Sequence, residues 1–244
     1  MNILSIGNSF SQDAHRYLHA IAKADGVELH TFNLYIGGCS LSRHYRNMLS
    51  RERAYTLQMN GTSTGFPVSL EEALLNRDWD IVTLQQASPV SADYSTYVPY
   101  LEKLAEYVRH CAPKAKIVIH QTWAYEQGSE RLTDGAGYAD YRDMLRDVKD
   151  AYQKAARLIG AELVIPSGEV FGTLLENGIE KVHRDTYHAS LGLGRYTLGL
   201  TWYRFLTGND IQNNAFTAFD EEVTAEEMAL AKKCVTEAAA RYGV

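Results

Sequence analysis

The chain is sparing in the features that mark several protein classes. Its three cysteines, Cys39, Cys111 and Cys234, are far apart and odd in number, which fits neither a disulfide framework nor a paired Cys-x-x-Cys zinc site. Only 5 of its 244 residues are proline, and no Pro- or Ser-rich linker or internal repeat divides it, so a single domain spanning 1–244 is expected. Cations are in the minority, 24 Lys and Arg against 30 Asp and Glu. Nucleic-acid binding relies on clustered cations that displace counterions, so no nucleic-acid partner is expected, and no membrane partner either. The opening MNILSIGNSF has no basic segment and too few apolar residues for a signal peptide. As written the chain reads as cytoplasmic, or as exported if a signal peptide was removed ahead of it.

What remains is a composition close to the globular average, 45% hydrophobic and 22% charged. Ile3, Leu4 and Ile6 form a short apolar run ending at Gly7, and Tyr17, Leu18, Ile21 and Ala22 then recur at helical spacing. The same unit returns. Strands are predicted over Leu29 to Ile36, Asp80 to Leu84, Lys116 to His120 and Glu162 to Ile165, and helices over Tyr97 to Cys111, Tyr138 to Ile159, Leu193 to Leu206 and Ala225 to Tyr242. Alternating strands and helices predict an α/β fold with three α/β/α layers around a five-stranded parallel sheet. The stretch 53–67 breaks the rhythm; its Asn60-Gly61 turn signal predicts an inserted hairpin or flap.

In an open parallel sheet, ligands bind beyond the carboxyl ends of the strands. After the first strand comes Gly7-Asn8-Ser9, which places a serine at a helix start with its backbone N–H free. The same position suits an ordinary helix cap. Late in the chain, Asp185 and His188 are three residues apart, close enough for a carboxylate to fix an imidazole tautomer and build a general base. Alone, that pair also describes a capped loop with a surface histidine. A serine at the first strand end, a late Asp-x-x-His, and Gly- and amide-bearing loops after the second and third strands together point to one site.

These blocks resemble the SGNH, or GDSL-like, hydrolase superfamily: Ile6-Gly7-Asn8-Ser9-Phe10-Ser11, Gly37-Gly38-Cys39-Ser40 and Asp185-x-x-His188. A bacterial branch is similar to Leu84-Gln85-Gln86-Ala87-Ser88 and His120-Gln121-Thr122-Trp123-Ala124-Tyr125 as well. The resemblance implies a flavodoxin-like hydrolase fold and a serine esterase that needs no cofactor. Ser9 would be the nucleophile, His188 the base and Asp185 its partner, with oxyanion donors from the N–H groups of Ser9 and Gly38. Where typical members place Gly-x-Asn-Asp, this chain has Gln85 and Gln86; either amide could supply the third donor. O-acetylated carbohydrates are the leading substrate class implied, with lipid esters or thioesters next, and a carbohydrate-binding module on the same fold is the non-catalytic alternative.

Asn8, His120, Trp123 and Tyr125 are candidate pocket-lining residues, though aromatics after a strand also serve as packing. No metal site is expected, since His15 and His19 have no evident third ligand. Arg43, Arg46 and the cluster Arg51 to Arg53 form a basic patch, either for an acidic substrate or as a solvated helix face. Cys39 reads as a small buried filler.

Overall fold

The computed structural model describes all 244 residues. Its sheet starts with β1, Asn2–Gly7, every residue of which after Asn2 is buried. Alternate side chains of a strand point to opposite faces. Accordingly Ile3 joins one hydrophobic core, with α1 (Ser9–Ala24), α6 (Ser167–Glu176), α7 (Leu193–Thr207) and α8 (Ala225–Tyr242), while Leu4 and Ile6 join the other. That second core is closed by α2 (Leu41–Ser50), α3 (Leu70–Leu75), α4 (Tyr100–Cys111) and α5 (Tyr141–Ile159). Two cores on either side of one sheet make the three layers.

The remaining strands are β2 (His30–Tyr35), β3 (Tyr55–Met59), β4 (Thr62–Val68), β5 (Ile81–Leu84), β6 (Lys116–His120) and β7 (Val164–Ile165). Their order is β4-β3-β2-β1-β5-β6-β7. Strands β2, β1, β5, β6 and β7 run parallel, in the 2-1-3-4-5 order of flavodoxin-like folds when counted among themselves.

The five-stranded parallel sheet is therefore corrected to a mixed sheet of seven strands. The stretch 53–67 falls largely in β3 and β4, which pair with each other and onto the free edge of β2, all antiparallel. Asn60 and Gly61 both take positive φ, 49° and 77°, as a tight two-residue hairpin turn requires. This segment extends the sheet and is not a flap over the strand ends.

In the 2-1-3-4-5 order the crevice opens beyond β1 and β5, where successive connections leave to opposite faces. The loops after β1, β2 and β5 meet there.

Candidate active site

Strand β1 hands directly to α1 through Gly7 and Asn8. A Cβ on Gly7 would lie 2.0 Å from Ser11 Oγ, so only glycine lets the helix turn back so closely on the strand. Asn8 caps the helix: its side-chain oxygen accepts the Phe10 N–H at 2.9 Å. Ser9 is thus the first helical residue, and its own N–H has no acceptor within the chain, as befits an N-terminal turn.

Across the crevice, Asp185 and His188 stand on the loop before α7. His188 Nδ1 lies 2.8 Å from Asp185 Oδ2, and the His188 backbone N–H donates to Asp185 Oδ1 at 2.9 Å. A carboxylate only accepts, so the ring proton sits on Nδ1. Nε2 is left as an acceptor, 2.8 Å from Ser9 Oγ. Burial acts to raise the Asp185 carboxyl, but its bonds from His188 prevail and hold it below the ordinary carboxylate range. Thr186, inside this turn, has φ +74°, an uncommon conformation for a β-branched residue.

The Gly37-Gly38 loop after β2 faces the same space. Gly38 takes φ +60° and its N–H, like that of Ser9, has no acceptor within the chain. This loop is held from both sides. Asn8 Nδ2 donates to Cys39 O at 3.1 Å, and Gln86 Oε1 accepts the Leu41 N–H at 2.9 Å.

Those bonds correct the assignment of a glutamine to the oxyanion. Gln86 is fully engaged, its oxygen with the N–H groups of Leu41 and Ala87 and its Nε2 with Thr96. Gln85 Nε2 donates to Asn8 Oδ1 at 2.7 Å, and its oxygen lies 2.8 Å from His120 Nδ1. Because Asn8 Oδ1 already accepts from Phe10, Gln85 must present its amine there, and His120 must carry its proton on Nδ1. Both glutamines are struts behind the crevice, not donors into it.

The pocket itself measures about 340 Å³ and is lined by Asn8, Ser9, Phe10, Tyr35, Gly37, Gly38, Ser88, Pro89, Arg131, Tyr187 and His188. Of the candidate lining residues, Asn8 lies on this wall, whereas His120, Trp123 and Tyr125 do not. They are buried one layer back, where Trp123 Nε1 donates to Tyr187 O at 2.7 Å and the Tyr125 hydroxyl bonds Ser88 Oγ at 3.1 Å. Burial pushes the His120 imidazole down to about 3, which keeps it neutral and makes it a weak base, and it does not line the pocket.

The basic patch also lies elsewhere. Arg51 and Arg53 pair with Glu71 and Glu72, and neither Arg43 nor Arg46 reaches the pocket. Cys39 does meet a histidine, His44 Nδ1 at 3.5 Å. Burial pushes the thiol up to about 12 and the imidazole down to about 3, so this pair is neutral packing and not a thiolate and its base. His15 and His19 are spent on Ser5 and Leu29 O respectively.

Sequence reading missed Tyr35, Ser88, Arg131 and Tyr187 as pocket walls and Asp13 as a support behind them. Asp13 is fully buried and accepts from Arg184, Arg195 and the Ala189 N–H. Its position one helical turn after Ser9 was the available signal.

Comparison with known proteins gives a consistent picture. A model of DUF4886, a domain of unknown function, matches residues 2–238. The crystal structure of a DUF4886 family protein from Bacteroides uniformis superposes with a TM-score of 0.92 at 33% identity, covering 100% of this chain and 95% of that one. A candidate SGNH hydrolase from Slackia heliotrinireducens follows with a TM-score of 0.61 at 24% identity, over 84% of this chain and 98% of that one. The lipase/acylhydrolase from Enterococcus faecalis gives 0.54 at 14% identity, over 85% and 95%. The last two likenesses are of fold. No curated protein matches the sequence.

Proposed function

The chain belongs to the DUF4886 family, and from that starting point we propose that it is a serine esterase working through an acyl-enzyme on Ser9. The observation that carries the reading is the unbroken line from Asp185 through His188 to Ser9, with 2.8 Å at each step. Such a line is what a hydroxyl needs to become a nucleophile at neutral pH.

In the proposed cycle, Ser9 Oγ attacks the ester carbonyl and its proton passes to His188 Nε2. Asp185, ionised at neutral pH, stabilises the imidazolium that results. The tetrahedral oxyanion is held by the free N–H groups of Ser9 and Gly38, the first of them at the positive end of α1. His188 then returns the proton to the leaving alcohol, and afterwards takes one from the water that releases the acid. The cycle consumes nothing beyond ester and water.

O-acetyl groups on carbohydrates are the substrate class we favour. A pocket of about 340 Å³ is at the small end for ligand sites, which suits a short acyl group. The Tyr35 ring on its wall adds an apolar surface against which a sugar ring can pack. The test is hydrolysis of p-nitrophenyl acetate and of a panel of acetylated sugars by wild type and Ser9→Ala. Turnover that disappears with Ser9 supports the esterase. Sugar binding without turnover, unchanged in Ser9→Ala, would replace it by a carbohydrate-binding module.

A further inference from the structure

Arg131 is the one fixed charge on the pocket wall. It stands beside Ser9 and His188 in a pocket whose other lining residues include no Asp, Glu, Lys or second Arg. Its guanidinium lies over the Tyr187 ring, 3.8 Å from the centroid, and that ring in turn packs 3.9 Å from His188. Arg16, Arg53, Arg184 and Arg195 are each held by a carboxylate of the chain. Arg131 has no such partner.

Other arginines also lack a carboxylate; what sets Arg131 apart is its place, as the one charged side chain on the wall of the pocket that holds Ser9 and His188. The Tyr187 ring at 3.8 Å and the Tyr125 ring at 5.7 Å brace the guanidinium, and no carboxylate of the chain occupies its N–H groups, whose fork is matched to a carboxylate. A single cation neutralises a single charge, which suits a monoanion better than a doubly charged phosphate. The helix N-terminus at Ser9 is already committed to the oxyanion.

We propose that Arg131 selects esters that carry a carboxylate, so that the substrate is the acetyl ester of an acidic alcohol such as a sugar acid. This deepens the esterase reading and rests on it. Arg131 here is a specificity residue on the substrate's alcohol portion, and the proton transfers at Ser9 and His188 proceed without it.

The test uses a matched pair, 4-acetoxybenzoate and 4-acetoxybenzamide, which differ in the charge presented to Arg131. For the wild type, kcat/KM should favour the benzoate by roughly tenfold, the order expected of a hydrogen bond to a charged group. Arg131→Gln should bring the ratio of the two near one. Arg131→Lys, which keeps the charge without the fork or the stack, should fall between. Taking the ratio cancels any general effect of the substitution on rate or folding. A ratio that ignores Arg131→Gln, or a wild type that prefers the benzamide, overturns the inference while leaving the esterase standing. If neither ester shows Ser9-dependent turnover, the esterase reading fails, and calorimetric titration with 4-hydroxybenzoate and 4-hydroxybenzamide decides the anion site separately. Arg131-dependent preference for the benzoate then supports it, and equal affinity sinks it.

Discussion

The carboxylate of Asp13 accepts both its oxygens' worth of contact from Arg184 Nη1, at 3.0 Å each. The two residues are 171 positions apart in the chain. Asp13 follows Ser9 by one turn of α1, and Arg184 immediately precedes Asp185. Asp13 also takes the Ala189 N–H at 3.2 Å, on the other side of His188, and Arg195 Nε at 2.9 Å. One buried carboxylate thereby clamps the acid-base loop at both ends to the helix that presents the nucleophile.

Removing that charge should be costly twice over. Asp13→Asn leaves Arg184 facing a neutral amide and Arg195 with only Asp220 for a partner, for which a loss of about 2–3 kcal/mol of stability is expected. It should also lower kcat more than it raises KM, because the Ser9 to His188 distance is what the clamp sets. Chemical denaturation beside steady-state kinetics measures both. Wild-type stability in Asp13→Asn would show that the clamp does not hold the loop.

The two triad partners should not be equivalent. His188→Ala removes the base outright, whereas in Asp185→Asn the side-chain oxygen can still accept one of the two bonds that Asp185 takes from His188. We expect the loss in kcat for Asp185→Asn to be smaller by at least about tenfold. Equal losses would mean that the Asp185 charge does more than orient the ring and stabilise its cation.

Gln86→Ala should act on folding and not on the chemistry. It strands the buried Leu41 N–H, and each unsatisfied buried group of that kind costs about 1–3 kcal/mol. The expected result is a lowered Tm with kcat nearly preserved in the folded fraction. A selective collapse of kcat at full stability would restore Gln86 to the oxyanion.

Stability should decline on mild acidification. Burial holds His15, His44 and His120 down to about 3 and His183 down to about 4, against an ordinary value near 6.5. Below that value the unfolded chain takes up protons that the folded chain refuses. The neutral-histidine contribution is therefore fully present above pH ~6.5 and is lost as pH falls toward the folded-state values, at up to about 1.4 kcal/mol per pH unit for each group. Urea midpoints at pH 7.5, 6 and 5 should fall in that order. Equal midpoints would show that these imidazoles are solvated.

What was legible in the sequence was local. Gly7-Asn8-Ser9 and Asp185-x-x-His188 are each complete within one turn of chain, and the apolar runs of β1, β5 and β6 need no partner to be recognised. Helix α6 was not legible, because Gly168 and Gly172 are poor helix formers and its two sides are both largely buried. Gly168 is explained only by packing: a Cβ there would come within 2.4 Å of Thr122 O. The edge hairpin was visible as a turn, but its pairing onto β2 depended on that edge being free. The pocket walls were the least legible part. Trp123 and Tyr125 follow a strand end as lining residues do, yet Tyr187 and Ser88 stand in front of them, and nothing in the run Glu130-Arg131-Leu132 signals that its arginine will reach the site.

The most direct measurement is covalent labelling with a fluorophosphonate, followed by mass spectrometry of the peptides. A single adduct on Ser9 is expected, absent in Ser9→Ala and strongly slowed in His188→Ala, because only a hydroxyl activated by that imidazole attacks phosphorus quickly. A correctly folded wild type that stays unlabelled, or esterase activity that survives in Ser9→Ala, would contradict the esterase reading.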